Sequence, residues 1–181
     1  MARRFFLALA FSAAGAACSD SHGGGGGDPS ASLPLAAGVT ITAIDLYQGT
    51  RVPIMEGGDA ASPGLAPIVG GRDGLVRVFI ETADDFTPRD LLAGVVLEDE
   101  DGDVSFTAQK EIEAGASAQA DLASTLNVEI AGEDLRPGQS ISVSVREADE
   151  DVDEDGETSG AKWPADDPEG LEIEEEQPPM K

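Results

Sequence analysis

From about Leu33 onward, the chain is dominated by short runs in which apolar and polar residues alternate. A period of two is typical of a β-strand that packs one face on a core and turns the other to water. The clearest run contains Ile141, Val143 and Val145, with serines between them. Comparable runs lie at residues 39–46, 75–81, 104–108 and 126–130.

Three departures from simple alternation refine these strands. The apolar positions change parity between Ala43 and Ile44, which predicts a bulge or a strand that moves between sheets. Pro53 cannot donate a ladder hydrogen bond, so we expect residues 51–55 at a sheet edge. Residues 91–97 are almost continuously apolar, as in a strand that is partly covered on both faces.

Turn signals separate the runs. Asp101-Gly102 predicts a hairpin, and Pro137-Gly138 predicts a type II turn with the glycine at the positive-φ position. Repeated short strands without helical crossovers favour an all-β fold. We therefore expect an antiparallel, immunoglobulin-like β-sandwich of about seven strands, including a last short strand near residues 171–173.

Two segments do not follow the strand pattern. Residues 111–124 are rich in alanine but interrupted by Gly115, and they form either the one helix of the chain or a long loop. Residues 147–176 are rich in acids, which predicts a mobile loop and fraying tail rather than packed structure.

The N-terminus has the pattern of a secretory signal. Arg3 and Arg4 give a positive start, and residues 5–17 are apolar or small apart from one serine. This run is shorter than the roughly 20 residues that a membrane-spanning helix needs. We expect residues 1–17 to be a signal peptide, and residues 18–32, which are rich in glycine and serine, to be a disordered linker. A domain at 33–175 and a tail at 176–181 complete the predicted organisation.

The only cysteine, Cys18, lies where the predicted signal ends. The run Gly15-Ala16-Ala17-Cys18 resembles the lipobox of bacterial lipoproteins, although Gly15 stands where leucine is usual. The resemblance implies cleavage before Cys18 and acylation, for example with palmitate, as a membrane anchor. The alternative is a secreted protein with an incidental cysteine. With one cysteine no disulfide forms within the chain, so the core must hold by packing.

The charge of the chain excludes one class of partner. There are 36 acidic and 11 basic residues, for a formal net charge of −25, and loss of the signal removes two of the arginines. A strongly negative surface repels phosphates. We expect no binding to nucleic acid.

Three sequence blocks carry a family resemblance: residues 46–55 (LYQGTRVPIM), 66–79 (APIVGGRDGLVRVF) and 124–130 (STLNVEI). Together they resemble the N-terminal β-sandwich module of myxobacterial envelope lipoproteins and secreted metallopeptidase-like proteins, over about residues 38–165. The resemblance implies a sandwich in the cell envelope. Longer relatives carry a zinc-protease motif in a later region, but none of these blocks is catalytic and no catalytic residue is transferred.

The sequence offers little catalytic chemistry. The one histidine, His22, lies in the predicted linker. A zinc-protease helix needs two histidines, and a Ser-His-Asp triad needs one held in a folded site. We therefore expect that the chain is not an enzyme and has no catalytic residues.

One acidic run resembles a metal loop. Asp151, Asp153 and Asp155, followed by Gly156, match the first half of a calcium-binding loop. The twelfth position is Lys162 instead of glutamate, which excludes a full EF-hand. Two interpretations stay open, a weak calcium site and a solvated acidic loop.

The lone tryptophan, Trp163, either closes the core near a sheet edge or offers a flat platform for a sugar, and we favour the core. The expected function is that of a lipid-anchored envelope lipoprotein, at the outer membrane or cell surface rather than the inner membrane. It acts as a non-catalytic binding or scaffolding module for an unknown protein partner. The alternative is a remnant N-terminal accessory module of a secreted zinc metallopeptidase-like protein.

Overall fold

The computed structural model describes residues 32–62, 64, 66–149 and 158–175. In these ranges it contains twelve strands and three short 3-10 turns. The strands are β1 (Val39–Tyr47), β2 (Arg51–Glu56), β3 (Asp59–Ala60), β4 (Ile68–Val69), β5 (Gly74–Thr82), β6 (Arg89–Asp99), β7 (Gly102–Ile112), β8 (Leu126–Ile130), β9 (Ser140–Glu147), β10 (Lys162–Trp163), β11 (Glu169–Gly170) and β12 (Ile173–Glu174). The 3-10 turns are Leu122–Ser124, Gly132–Asp134 and Ser159–Ala161.

Two antiparallel sheets contain all the longer strands. The first has the order β3-β2-β1-β5-β8, and the second has the order β10-β9-β6-β7 with β11 also paired to β9. The short strands β12 and β4 pair in parallel. The prediction of an all-β fold is confirmed.

The two sheets share one hydrophobic core. Ile44, Leu46 and Val78 from the first sheet and Val95 and Val143 from the second are all almost fully buried in a single cluster. These residues occupy the alternating apolar positions of their strands, because successive side chains of a strand point to opposite faces. Burial of apolar surface, at about 25 cal/mol per Å², is the main stabilising contribution here.

The predicted irregularities of the strands are present. In β1 the pairing with β5 shifts between Ile41 and Ala43, and the pairing with β2 shifts between Ile44 and Asp45. The bulge accounts for the change of parity in the sequence, because an inserted residue reverses the face that later side chains take.

The two predicted turns also form. Strands β6 and β7 make a hairpin in regular register from Arg89 opposite Ile112 to Asp99 opposite Gly102. Gly138 has a φ of +90° in the turn before β9, the conformation that the second central position of a type II turn requires.

The helix considered for residues 111–124 is wrong, and the loop interpretation is confirmed. Strand β7 continues to Ile112, and the chain then crosses from the second sheet to the first. Ser117 donates its backbone N–H to the carbonyl of Ile80 at 2.8 Å, next to a bridge between Glu81 and Ala116. The segment therefore extends the first sheet beside β5, in a region that β8 does not reach.

The expectation of unpacked chain across residues 147–176 is also wrong for the part that is described. Glu147 is buried at the end of β9, and Ala161, Trp163 and Ile173 belong to the core. The indole N–H of Trp163 donates to the carbonyl of Gly58 at 3.1 Å. The core interpretation of this tryptophan is confirmed, since its ring closes the core where β10 approaches β1.

An ion pair between the half-buried Arg89 and the buried Glu147 fixes the beginning of the domain. Arg89 donates through Nε and Nη2 to the two carboxylate oxygens of Glu147, each at 2.8 Å. Arg89 also donates to the carbonyl of Ala37 at 2.8 Å, and the N–H of Ala37 donates to Glu147 at 3.1 Å. The segment that follows the predicted linker is thereby attached to β9 and β6. No helix in the described ranges is long and apolar enough to cross a membrane.

Candidate binding groove

The site residues predicted from the sequence lie outside the described residues. This applies to Cys18 and to the three aspartates at 151, 153 and 155. The lipid anchor and the calcium site therefore stay predictions. Among the residues that are described, no three His, Cys, Asp or Glu side chains are grouped so that they could hold a metal ion.

The structure contains a groove that the sequence did not indicate. It has a volume of about 380 Å³ and lies between β2 on one side and the segment 169–174 on the other. We call it the edge groove; its described lining consists of Val52, Pro53, Ile54, Ala60, Ala61, Gly64, Ala66, Pro67, Ile68, Glu169, Gly170, Leu171, Glu172 and Glu174. Its volume falls within the range of about 300–1,000 Å³ that is typical of ligand pockets.

The first wall of the edge groove is apolar and belongs to the outer side of β2. Pro53 pairs with Asp45 of β1 on the inner side of β2, and β3 pairs with the outer side only at Met55 and Glu56. On its outer side, the stretch around Pro53 therefore has no strand beside it in the described structure. Proline has no backbone N–H to offer to an added strand. A partner at this wall would therefore be held by side-chain contacts with Pro53 and Ala61 rather than by extension of the sheet.

The second wall is fixed by backbone hydrogen bonds at both ends. Glu169 pairs with Ile141 of β9, and the N–H of Leu171 donates to the carbonyl of Gln139 at 2.8 Å. The carbonyl of Glu174 accepts from the N–H of Gly70, also at 2.8 Å. Between these ties Ile173 is buried in the core. The wall is thus positioned by two separate parts of the domain.

Gln139 gives this wall further support, because its buried amide is satisfied on all sides. Nε2 donates to the carbonyl of Asp134 at 2.9 Å and to Oδ2 of Asp99 at 3.2 Å, while Oε1 accepts from the N–H of Arg136 at 2.9 Å. Buried amides with complete hydrogen bonding hold their neighbours in one arrangement.

The chemistry of the edge groove is apolar at the bottom and acidic at the rim. Glu169, Glu172 and Glu174 are exposed, and the described lining of the groove contains no lysine or arginine. Such a surface favours a group that has an apolar stem and a positive end.

A second polar cluster lies on the outer face of the first sheet, but it has a structural explanation. Arg77 is only 7% exposed, and its guanidinium lies 4.9 Å from the ring centroid of Phe79 and 5.6 Å from that of Tyr47. It donates to the carbonyls of Gln119 and Asp121, each at 3.2 Å. The buried charge therefore holds the segment between β7 and β8 on the sheet.

Beside Arg77, the buried carboxylate of Asp45 pairs with Arg51. Arg51 donates through Nε to Oδ2 of Asp45 at 2.7 Å and through Nη2 to Glu56 at 3.0 Å. The hydrogen bond with Asp45 raises the pKa of Arg51 above its ordinary value. In the described structure Oδ1 of Asp45 has no hydrogen-bond partner, and this oxygen is closed off from solvent. The carboxylate of Asp45 therefore presents no open surface to a ligand, and only Arg51, whose side chain is 36% exposed, meets the solvent.

Sequence reasoning missed the edge groove because its walls come from distant segments. The stretches 52–68 and 169–174 are about a hundred residues apart in the chain, and neither contains a motif with known chemistry. The only local signals are Pro53 and Pro67, which lack the backbone N–H that a ladder hydrogen bond needs. Comparison with protein-family models, with curated proteins and with solved structures found no significant match to this chain.

Proposed function

We propose that this protein is a lipid-anchored lipoprotein of the cell envelope whose β-domain is a non-catalytic binding or scaffolding module. The edge groove is its contact surface for a protein partner. The observation that carries the proposal is a concave, partly apolar surface with walls fixed by the backbone bonds of Leu171 and Glu174. Pre-formed concave sites with few polar groups are typical of binding surfaces.

The predicted anchor supports the same proposal. Lipidation at Cys18 would hold the protein at a membrane, and the linker at 18–32 would let the domain stand away from it. The resemblance to the N-terminal module of myxobacterial envelope lipoproteins and metallopeptidase-like proteins adds an envelope location. We include in the proposal an immunoglobulin-like sandwich. Its support is that seven strands of the described structure have five or more residues.

Crosslinking in cells tests the binding function. A photoreactive amino acid at Ala60, which is exposed and lines the edge groove, is expected to give discrete protein adducts. The matched position is Thr107, which is exposed on β7 at the opposite end of the other sheet. Absence of adducts from Ala60, or equal adducts from both positions, would contradict a binding role for the groove.

The anchor is tested separately. Cys18→Ala is expected to abolish palmitate labelling and to release the protein from membranes, because no acyl chain can then be attached. Ser21→Ala, a change within the same predicted linker, is expected to leave labelling and membrane association unaltered. Wild-type protein that is unlabelled and fully soluble would disprove the lipoprotein assignment.

A further inference from the structure

Three exposed glutamates form the rim of the edge groove on one side. Glu172 and Glu174 flank the buried Ile173 and therefore lie on the same side of the short strand β12. Glu169 begins β11 at the other end of this wall. Because the backbone between them is tied to β9 and β4, the carboxylates are attached to a fixed support rather than to a free tail.

The facing wall has no charged side chain among its described residues and is built from Pro53, Ala61 and Pro67, together with parts of β2. Long basic side chains pack their methylene stems on apolar surface while the charged end stays in water. A lysine or arginine that enters the groove would place its stem against the prolines and its charged end among the glutamates.

The outer edge of β2 decides whether a bound segment is held by backbone hydrogen bonds or by side-chain contacts. Pro53 cannot donate to an added strand, and the carbonyl of Ile54 already accepts the N–H of Ala61 at 2.8 Å. Addition of a strand to β2 is therefore disfavoured at this point. Side chains, rather than a backbone ladder, must supply the contacts.

Charge also distinguishes between the possible binding partners of the edge groove. A second copy of this chain would bring another formal net charge of −25 towards the same surface, and like charges repel on approach. A basic segment of a different protein is attracted by the same field. Opposite charge raises the association rate as well as the specificity of such contacts.

We propose that the edge groove binds an extended, basic segment of a partner protein, through lysine or arginine side chains that lie between the Pro53 wall and the rim glutamates Glu169, Glu172 and Glu174. This inference rests on the proposed binding function and gives the chemical class of the partner.

Peptide binding tests the inference on the full chain. The probes are a short fluorescent peptide in which lysine alternates with threonine, and a counterpart in which glutamine replaces each lysine. The variants are Glu169→Gln/Glu172→Gln/Glu174→Gln, which neutralises the rim, and Glu111→Gln/Glu113→Gln/Glu129→Gln, which makes the same change in net charge at exposed sites outside the groove. Fluorescence anisotropy gives the dissociation constants.

The lysine peptide is expected to bind the wild type more tightly than the glutamine peptide does. The rim variant is expected to lose about tenfold in affinity, since each exposed ion pair contributes only a few-fold. The matched variant is expected to lose less than about twofold, and binding is expected to weaken as salt screens the rim charges.

Two results would overturn the inference. Equal binding of the two peptides would show that the groove does not select positive charge. Equal losses in the two variants would show that the overall charge of the protein, and not the groove, attracts the peptide. In either case, adducts formed at Ala60 in cells would still support the binding function. Conversely, selective peptide binding without such adducts would support the groove chemistry and contradict the proposed function.

Discussion

The ion pair of Arg89 and Glu147 allows a sharp test of what holds the domain together. Glu147 is 2% exposed, and Arg89 supplies two of the three hydrogen bonds that its carboxylate accepts from described residues. Arg89→Met keeps much of the apolar stem but leaves the carboxylate buried with a single donor, the N–H of Ala37. A buried charge that loses its partner is strongly destabilising, because water cannot replace the missing contacts.

The expected magnitude follows from the exposure of the two side chains. Removal of one partner from a fully buried pair costs about 3–5 kcal/mol. The side chain of Arg89 is 26% exposed, so water reaches the pair in part, and we expect Arg89→Met to lower the free energy of unfolding by about 2–4 kcal/mol. The guanidinium also lies 4.3 Å from the ring centroid of Phe86, and the loss of this contact acts in the same direction.

Urea unfolding followed by circular dichroism measures the effect, with the slope against urea expected to stay unchanged. The double variant Arg89→Met/Glu147→Met is expected to be more stable than Arg89→Met alone, since it removes the stranded carboxylate. The control is Arg136→Met, which breaks a pair with Asp99 at 3.7 Å in which the arginine is 45% exposed. It should cost less than about 1 kcal/mol. Equal small losses of stability for Arg89→Met and Arg136→Met would contradict the importance of the pair with Glu147.

Three further predictions use other parts of the structure. A methyl group at Gly132 would lie 2.6 Å from the carbonyl oxygen of Gly71, so Gly132→Ala should cost about 1–3 kcal/mol in thermal or urea unfolding. Gly170→Ala, with nothing within 4 Å of the new atom, should cost less than about 0.5 kcal/mol. The hydrogen bond from the backbone N–H of Asp101, with smaller effects of other hydrogen bonds, lowers the pKa of Asp99 below its ordinary 3.8. The contribution of the Asp99 carboxylate to stability is therefore present above pH 3.8, and it is lost as pH falls through the lowered pKa. The stability difference between wild type and Asp99→Asn should therefore shrink on acidification, and a difference independent of pH would contradict this. If residues 151–155 bind calcium, millimolar calcium should raise the melting temperature, and asparagine in place of the three aspartates should remove the rise. Equal melting temperatures of the wild type with and without calcium would support the interpretation of this segment as a solvated acidic loop.

The class of the fold follows from the alternation of residues along the chain alone. Strands such as Leu126–Ile130 and Ser140–Glu147 alternate apolar and polar residues, and a period of two has only one regular explanation. Local chemistry also determined the bulge in β1 and the positive φ of Gly138. These features depend on neighbours within a few residues, and therefore the sequence pattern is sufficient to predict them.

The segments that were wrongly predicted depend on contacts with distant parts of the chain. The alanine-rich residues 111–124 have the composition of a helix, but the chain must cross between sheets there, and Ser117 pairs with β5. Ala161, Trp163 and Ile173 are separated by acids and lie in or beside strands of two residues. A strand of two residues is too short to show the alternation of apolar and polar residues that predicts a strand.

The burial of polar residues and the place of a ligand surface depend on how distant segments pack together. Arg77 alternates with Val76 and Val78, a pattern that is typical of a side chain facing water, but the crossing segment covers its side of the sheet. The edge groove exists because the 169–174 segment is tied to β9 and β4 beside the outer side of β2. Local patterning specifies which face of a strand is apolar. The position of one strand edge against another follows from long-range packing, which no stretch of the sequence contains by itself.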